Sequence, residues 1–184
     1  RPANQGRRRA RPSLVCTAPI TYTGQAQVAE DIANLRAALE GTFPPIELPV
    51  RPPFAAMLAK SADAVPSPPG WQYEPKWDGF RCLVFRRDDQ VLLQSRAGQP
   101  LGRYFPEMVA AFRALPASRF VLDGEIVIVV DGVMSFDDLL QRIHPAASRI
   151  KKLSTETPAT FLVFDILVDA DGNNLTEKTL SERR

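Results

Sequence analysis

Two cations in the stretch E-P-K-W-D-G-F-R, residues 74–81, have the types and spacing for nucleophilic chemistry. Lys76 stands just before an Asp-Gly pair that joins two apolar runs, and Arg81 follows five positions later. A lysine amine becomes a nucleophile when desolvation or a neighbouring cation lowers its pKa. The alternative is a hairpin with an Asp-Gly turn and solvated Lys and Arg flanks, because short patterns often match by chance. The stretch alone leaves both interpretations open.

Three further motifs follow it along the chain: S-R-A-G at 95–98, L-D-G-E at 122–125 and F-L-V-F-D-I-L at 161–167. Glu125 is a carboxylate in a predicted strand of Val, Leu and Ile, where a charge needs a partner. Simple alternation would instead turn Glu125 outwards, and Asp123 beside it is interpreted as structural. Phe164 is an aromatic residue in an apolar strand, where core packing is the common role.

The four motifs together, in this order, resemble those of the covalent nucleotidyltransferases. These are the ATP-dependent DNA ligases, the RNA ligases and the mRNA capping enzymes. The sequences E-P-K-W-D-G-F-R and F-D-I-L most resemble the corresponding motifs of the small bacterial ATP-dependent DNA ligases, including the mycobacterial ligase C type. The resemblance covers roughly residues 47–184.

This resemblance implies the reaction and its nucleophile. Lys76 would attack the α-phosphate of ATP, release pyrophosphate and retain AMP as a phosphoramidate, with Mg²⁺ bound near the phosphates. Nicked duplex DNA would be the partner. An RNA ligase or a capping enzyme is the first alternative, and a non-catalytic remnant is the second.

The resemblance also implies roles for five other residues. Glu74 would accept a hydrogen bond from the adenine amino group, or it is a solvated carboxylate at a strand edge. Arg81 and Arg96 would lie near the ribose and phosphates, where guanidinium forks suit pairs of oxygens, although a plain surface arginine also fits Arg96. Glu125 would bind the ribose and lie near the metal, and Phe164 would stack on the adenine.

The predicted fold class is α+β: antiparallel sheets packed with helices, as an ATP-grasp-like nucleotidyltransferase domain of DNA ligases that is partial, with an N-terminal extension. Residues 1–46 form that extension, partly disordered and with one helix at 25–40; residues 47–184 form the first part of the adenylation domain. The predicted strands are a meander of 71–74, 80–86 and 91–95, followed by 120–130 and 160–168. The predicted helices are 105–115, with Pro106 in its first turn, and 135–143, capped by Ser135.

Composition excludes several classes. The 184 residues are 45% hydrophobic and 24% charged with a net charge of +2, which is ordinary for a globular domain. Two cysteines are too few for a disulfide framework, and no apolar run has the length of a membrane span. A bacterial cytoplasmic location is expected, at the nucleoid when bound to DNA. The later glutamate motif, lysine pair and OB-fold of these ligases are missing from the 184 residues, so the chain is predicted to be incomplete and inactive by itself.

Overall fold

The computed structural model describes residues 14–17, 43–61 and 70–184. They fall into two compact units, one within 1–19 and 58–77 and the other within 20–57 and 78–184. The predicted disorder of residues 1–13 and the predicted helix at 25–40 lie outside the described residues. No helix in the described part of the chain is long and apolar enough to cross a membrane.

The first unit contains a three-stranded antiparallel sheet. Strand β1 (Leu14–Thr17) lies in the middle, with β2 (Lys60–Ser61) on one side and β3 (Gln72–Pro75) on the other. In the register of β1 and β3, Val15 is opposite Glu74. The strand that leads into Lys76 is therefore paired with a segment of the predicted N-terminal extension. The boundary at residue 46 stays a prediction.

The second unit is built on a five-stranded antiparallel sheet around its longest strand, β6. Its strands are β4 (Phe80–Arg87), β5 (Gln90–Ser95), β6 (Arg119–Val130), β7 (Val133–Met134) and β8 (Ala159–Val168). Strand β6 pairs with β4 along one edge, and with both β8 and β7 along the other. All pairings are antiparallel, which confirms the predicted sheet type.

Within the described residues, the second unit has four helices: α1 (Pro106–Ala114), α2 (Phe136–Leu140), α3 (Ala147–Glu156) and α4 (Leu180–Arg183). As predicted, Pro106 opens α1 and Ser135 caps α2, where its hydroxyl accepts a hydrogen bond from the Asp138 backbone NH. Helix α2 is shorter than the predicted 135–143. Helix α3 was not predicted, because Ile150 and Leu153 are its only large apolar residues and the segment is otherwise polar.

The two faces of the sheet cover two separate apolar cores, as strand alternation requires. On β4, Cys82 and Val84 face the core shared with Phe105, Met108 and Phe112 around helix α1. The intervening Leu83 and Phe85 face a second core, which is completed by Ile46, Leu48 and Val50 from the chain before the first motif. The sheet is thus covered on both sides.

A buried arginine closes helix α1 onto the sheet. The Arg86 guanidinium donates hydrogen bonds to the carbonyl oxygens of Phe112, Arg113 and Leu115, at 2.5, 2.8 and 2.8 Å. The last carbonyls of a helix lack partners within the helix and carry partial negative charge, so a cation there is stabilising. Arg86 therefore fixes the end of α1 relative to β4.

The predicted three-stranded meander is wrong in its first strand. Strands β4 and β5 do form a hairpin, with Asp88 in a left-handed conformation at φ 53°. Strand β3, however, pairs with β1 in the other sheet. The Asp-Gly pair of the first motif thus connects strands of two different sheets instead of closing a hairpin. Gly79 does not have the positive φ that a hairpin turn would require.

Glycine is needed at position 79 because the backbone there packs closely against a neighbouring strand. A Cβ atom at Gly79 would lie 2.4 Å from the carbonyl oxygen of Ile126 and 2.8 Å from the Cγ of Glu125. The clash with Ile126 involves strand backbone, which cannot move aside as a flexible side chain could. Glycine is required because β4 begins directly against β6.

We expect Gly79→Ala to lower the free energy of unfolding by about 1–3 kcal/mol or more, because overpacking forces the backbone to shift. Gly102→Ala is the matched control, since a Cβ there would meet only the Val109 Cγ2 atom at an ordinary 3.6 Å. Urea unfolding of both variants would measure the difference. Equal stability of the two would contradict the close-packing explanation.

Candidate functional site

A cavity of about 400 Å³ opens at one end of the five-stranded sheet. It is lined by residues of the first three motifs and their neighbours: Gly79, Phe80, Arg81, Ser95, Arg96, Ala97, Leu101, Glu125 and Ile143. Three of the six predicted site residues, Arg81, Arg96 and Glu125, therefore share one cavity. The Arg96 guanidinium and the Glu125 carboxylate beside apolar walls can bind a ligand with both phosphate and hydroxyl groups.

Strands β4 and β6 place Arg81 and Glu125 side by side. The two residues are opposite each other in the antiparallel register, so their Cβ atoms are about 4.5–5.5 Å apart on the same face. Glu125 is half-buried at the cavity wall instead of pointing into bulk solvent. The alternative that Glu125 is an ordinary outward-facing strand residue therefore does not fit its half-buried position at the cavity.

Arg81 makes a two-pronged ion pair with the fully buried Asp123. Its Nε donates to Oδ1 at 2.5 Å and its Nη2 donates to Oδ2 at 2.6 Å. Nη2 also donates to the Met57 carbonyl oxygen at 3.0 Å. A buried carboxylate requires such a partner, so the aspartate of L-D-G-E orients the arginine of the first motif.

Phe164 reaches this arrangement through a β-bulge. In the register of β6 and β8, Asp123 is opposite Asp165 and Gly124 is opposite Val163, which leaves Phe164 as the extra residue. A bulge redirects the side chain that it carries. The Phe164 ring lies against the Arg81 guanidinium, with 4.4 Å from Cζ to the ring centroid, and it is outside the lining of the cavity.

The S-R-A-G motif is a tight turn that presents Arg96. Gly98 is left-handed at φ 76°, its NH donates to the Ser95 carbonyl oxygen, and the Ser95 hydroxyl accepts from the Gln99 NH. Turn chemistry accounts for the serine and the glycine. The exposed Arg96 has no such structural duty in the turn, and its side chain borders the cavity.

The two remaining predicted residues belong to the first unit. Glu74 is half-buried in β3, and Lys76 is exposed directly after that strand. The structure thus divides the six predicted residues between its two units, with Glu74 and Lys76 in one and the other four in the second. Their roles stay predictions.

A buried arginine also supports the apolar wall of the cavity. The fully buried Arg142 donates hydrogen bonds to Glu107 on α1 and to the carbonyl oxygens of Tyr104 and Thr157. It stands immediately before Ile143, which lines the cavity. Sequence reasoning missed this residue, because a lone arginine after a short helix is ordinarily exposed.

A second buried ion pair was also missed. Both carboxylate oxygens of Asp165, in the F-D-I-L motif, accept hydrogen bonds from Arg183 at 2.8 and 2.7 Å. Helix α4 presents that arginine and begins at a capping box formed by Thr179 and Glu182, the latter with a pKa lowered by hydrogen bonds from Thr179. The capping box T-x-x-E was the available signal.

One carboxylate at the cavity is suited to a divalent cation. Among the residues that the structure describes, no cluster of three metal-ligating side chains occurs, and Asp123 is engaged by Arg81. Mg²⁺ commonly retains several waters and binds one or two carboxylates together with substrate phosphates. Glu125 fits that mode of binding, and the metal itself belongs to the proposal below.

Cys82 follows Arg81 on β4 and faces the other side of the sheet, where it is buried in the core around helix α1. Burial, with the nearby Asp123 charge second, raises the pKa of its thiol far above the ordinary 9.0. The folded state therefore retains the proton, and its stability relative to the unfolded chain falls as the pH rises above about 9.

We expect Cys82 to resist alkylation at pH 8 in the folded protein and to react fully in urea, because only the thiolate is nucleophilic. Mass spectrometry of the Cys82 peptide after iodoacetamide treatment would measure this. Labelling at the same rate with and without urea would contradict the burial.

Comparisons with known proteins now identify the class. The family described as "ATP dependent DNA ligase domain" matches residues 54–184. DNA ligase C of Mycobacterium tuberculosis is 52% identical over 139 residues, which is 76% of this chain and 38% of that protein. DNA ligase C1 of Mycolicibacterium smegmatis is 53% identical over 137 residues, which is 72% of this chain and 39% of the relative.

Among solved structures, a mycobacterial DNA ligase D complexed with ATP and MES is similar to this chain. It matches with a TM-score of 0.49 and 32% identity over 60% of this chain and 33% of its own. The family match spans most of the chain, so this chain belongs to the ATP-dependent DNA ligase domain family. It spans about two fifths of the length of the mycobacterial ligase C relatives.

Proposed function

We propose that this chain carries the nucleophile and much of the nucleotide pocket of an ATP-dependent DNA ligase. The protein to which it belongs would seal nicks in duplex DNA through a lysyl-AMP intermediate. The observation that carries the proposal is the convergence of Arg81, Arg96 and Glu125 from three separate motifs on one cavity. Gly79 lines the same cavity, and Lys76 precedes it by only three residues of sequence.

The residues divide the first chemical step between them. The Lys76 amine would attack the α-phosphate in line with the departing pyrophosphate, which requires the neutral amine and positive charge near the phosphates. Arg96, exposed on its turn, would supply part of that charge. Glu125 would accept hydrogen bonds from the ribose and lie near Mg²⁺, which would neutralise phosphate charge when bound.

Nucleotide choice would depend on the base. Phe164 would stack on the adenine, and Glu74 would accept a hydrogen bond from its exocyclic amino group. Guanine presents an oxygen at the position of that amino group, so a carboxylate acceptor there disfavours GTP. The protein would act in the bacterial cytoplasm, at the nucleoid when bound to DNA.

The test uses the full-length product of the reading frame with α-labelled nucleotides and Mg²⁺. ATP should label the protein covalently, GTP should label it at least tenfold less, and nicked duplex DNA should be sealed in preference to nicked duplex RNA. Equal labelling by GTP would instead support the capping branch, and sealing confined to RNA would support an RNA ligase. A protein that takes no label from either nucleotide would refute the proposal.

A further inference from the structure

We propose that Arg81, oriented by Asp123, is a positioning residue for the adenine-stacking ring and not a ligand of the phosphates. This inference rests on the proposed function and deepens it. It concerns how the nucleotide pocket recognises the base. The geometry points to a three-layer stack, in which the guanidinium supports one face of Phe164 and the adenine lies against the other.

The first step of the argument is the orientation of the guanidinium. Two of its nitrogen atoms donate to Asp123 and one of these also donates to the Met57 carbonyl, so Nε and Nη2 point into the protein. Asp123 has no exposed surface, and its strand is paired on both edges, so its position is fixed. Arg81 could not turn towards a phosphate without losing its hydrogen bonds to Asp123. A phosphate would have to compete with a buried two-pronged ion pair for these donors.

The second step is the position of the ring. Phe164 is the extra residue of a bulge, without an opposite residue in the β6 register. Pairing therefore does not fix its side chain as it does for its neighbours. The guanidinium contact at 4.4 Å does so instead, and a planar cation packs well against an aromatic face. Phe164 remains partly exposed, which leaves ring surface for a ligand.

The third step separates this role from a phosphate contact. If Arg81 acts through the ring, its loss must weaken adenine and ATP binding by the same factor, because the base is common to both. If it binds the ribose or the phosphates, ATP affinity must fall while adenine affinity is unchanged. Asp123 acts through Arg81, so Asp123→Asn should reproduce the effect of changing the arginine.

The experiment measures adenine and ATP affinities of the full-length product by ligand-observed NMR. Arg81→Lys retains the charge but loses the fork and the flat surface; we expect both affinities to fall by about tenfold, the order of one aromatic stack. Arg183→Lys is the matched control, since it alters the other buried arginine–aspartate fork, and both affinities should change less than twofold.

Two further variants keep the test decisive if Arg81→Lys folds poorly. Phe164→Leu should weaken adenine binding as much as Arg81→Lys does, and the adenine affinity of the double variant should fall no further than twofold below that of either single variant. A drop in ATP affinity alone would overturn this inference while the proposed function stands. Absence of ATP binding by the unaltered protein would overturn both.

Discussion

Replacement of Lys76 by alanine is expected to abolish covalent AMP attachment in the full-length gene product. No other side chain in the first motif can supply a neutral amine: Arg81 keeps its proton at any pH that proteins tolerate. Loss of a nucleophile removes the covalent step itself, so residual labelling should lie at the background of the assay. The measurement is transfer of α-labelled phosphate from ATP to protein.

Lys76→Arg is the control that separates charge from nucleophilicity. It preserves a cation at the same exposed position after β3, but the guanidinium cannot lose its proton and attack. We expect it to be as inactive as Lys76→Ala. Both variants should nonetheless fold with the stability of the unaltered protein, because Lys76 is exposed. Labelling that survives either change would assign the nucleophile to another residue.

Replacement of Asp165 by alanine is expected to lower the free energy of unfolding by about 3–5 kcal/mol. The Asp165 and Arg183 side chains are 2% and 0% exposed, so the change leaves a buried guanidinium without its carboxylate. Removal of one partner of a buried pair costs far more than the net contribution of the pair, because the remaining charge stays desolvated. Urea unfolding followed by far-ultraviolet circular dichroism would measure the loss.

Two controls define the cause. Glu156→Ala breaks the exposed pair with Lys152, at 3.9 Å on helix α3, and should cost less than about 0.5 kcal/mol. The double change Asp165→Leu with Arg183→Met removes both charges and should regain most of the stability lost by Asp165→Ala. A loss of unfolding free energy below about 1 kcal/mol for Asp165→Ala would show that water reaches Arg183 and that the ion pair is not shielded from solvent.

The amino-acid sequence by itself determined the features that depend on neighbouring residues. Pro106 at the start of α1 and Ser135 at the cap of α2 were predicted because helix starts and caps follow from local backbone chemistry. The left-handed Asp131-Gly132 turn before β7 is likewise a sequence-local feature. The order and wording of the four motifs indicated the ligase family, which the family match over residues 54–184 confirms. Nothing in these inferences required knowledge of distant contacts.

Only the tertiary structure decided the features that depend on distant residues. Strand β3 pairs with β1, about sixty residues earlier in the chain, and no local pattern specifies such a partner. Gly79 is needed because of the Ile126 carbonyl, which is brought there by the β4 and β6 pairing. A close approach of this kind has the same local sequence signature as a turn glycine.

The partners of two buried aspartates at the site could not be predicted from sequence either. Asp123 and Asp165 are opposite each other on β6 and β8, and each is neutralised by an arginine from a different element, Arg81 on β4 and Arg183 on α4. From sequence alone, each aspartate is one polar residue in an apolar strand. Its buried state is stable only because folding brings a specific cation from far along the chain, and that pairing is a property of the packed structure.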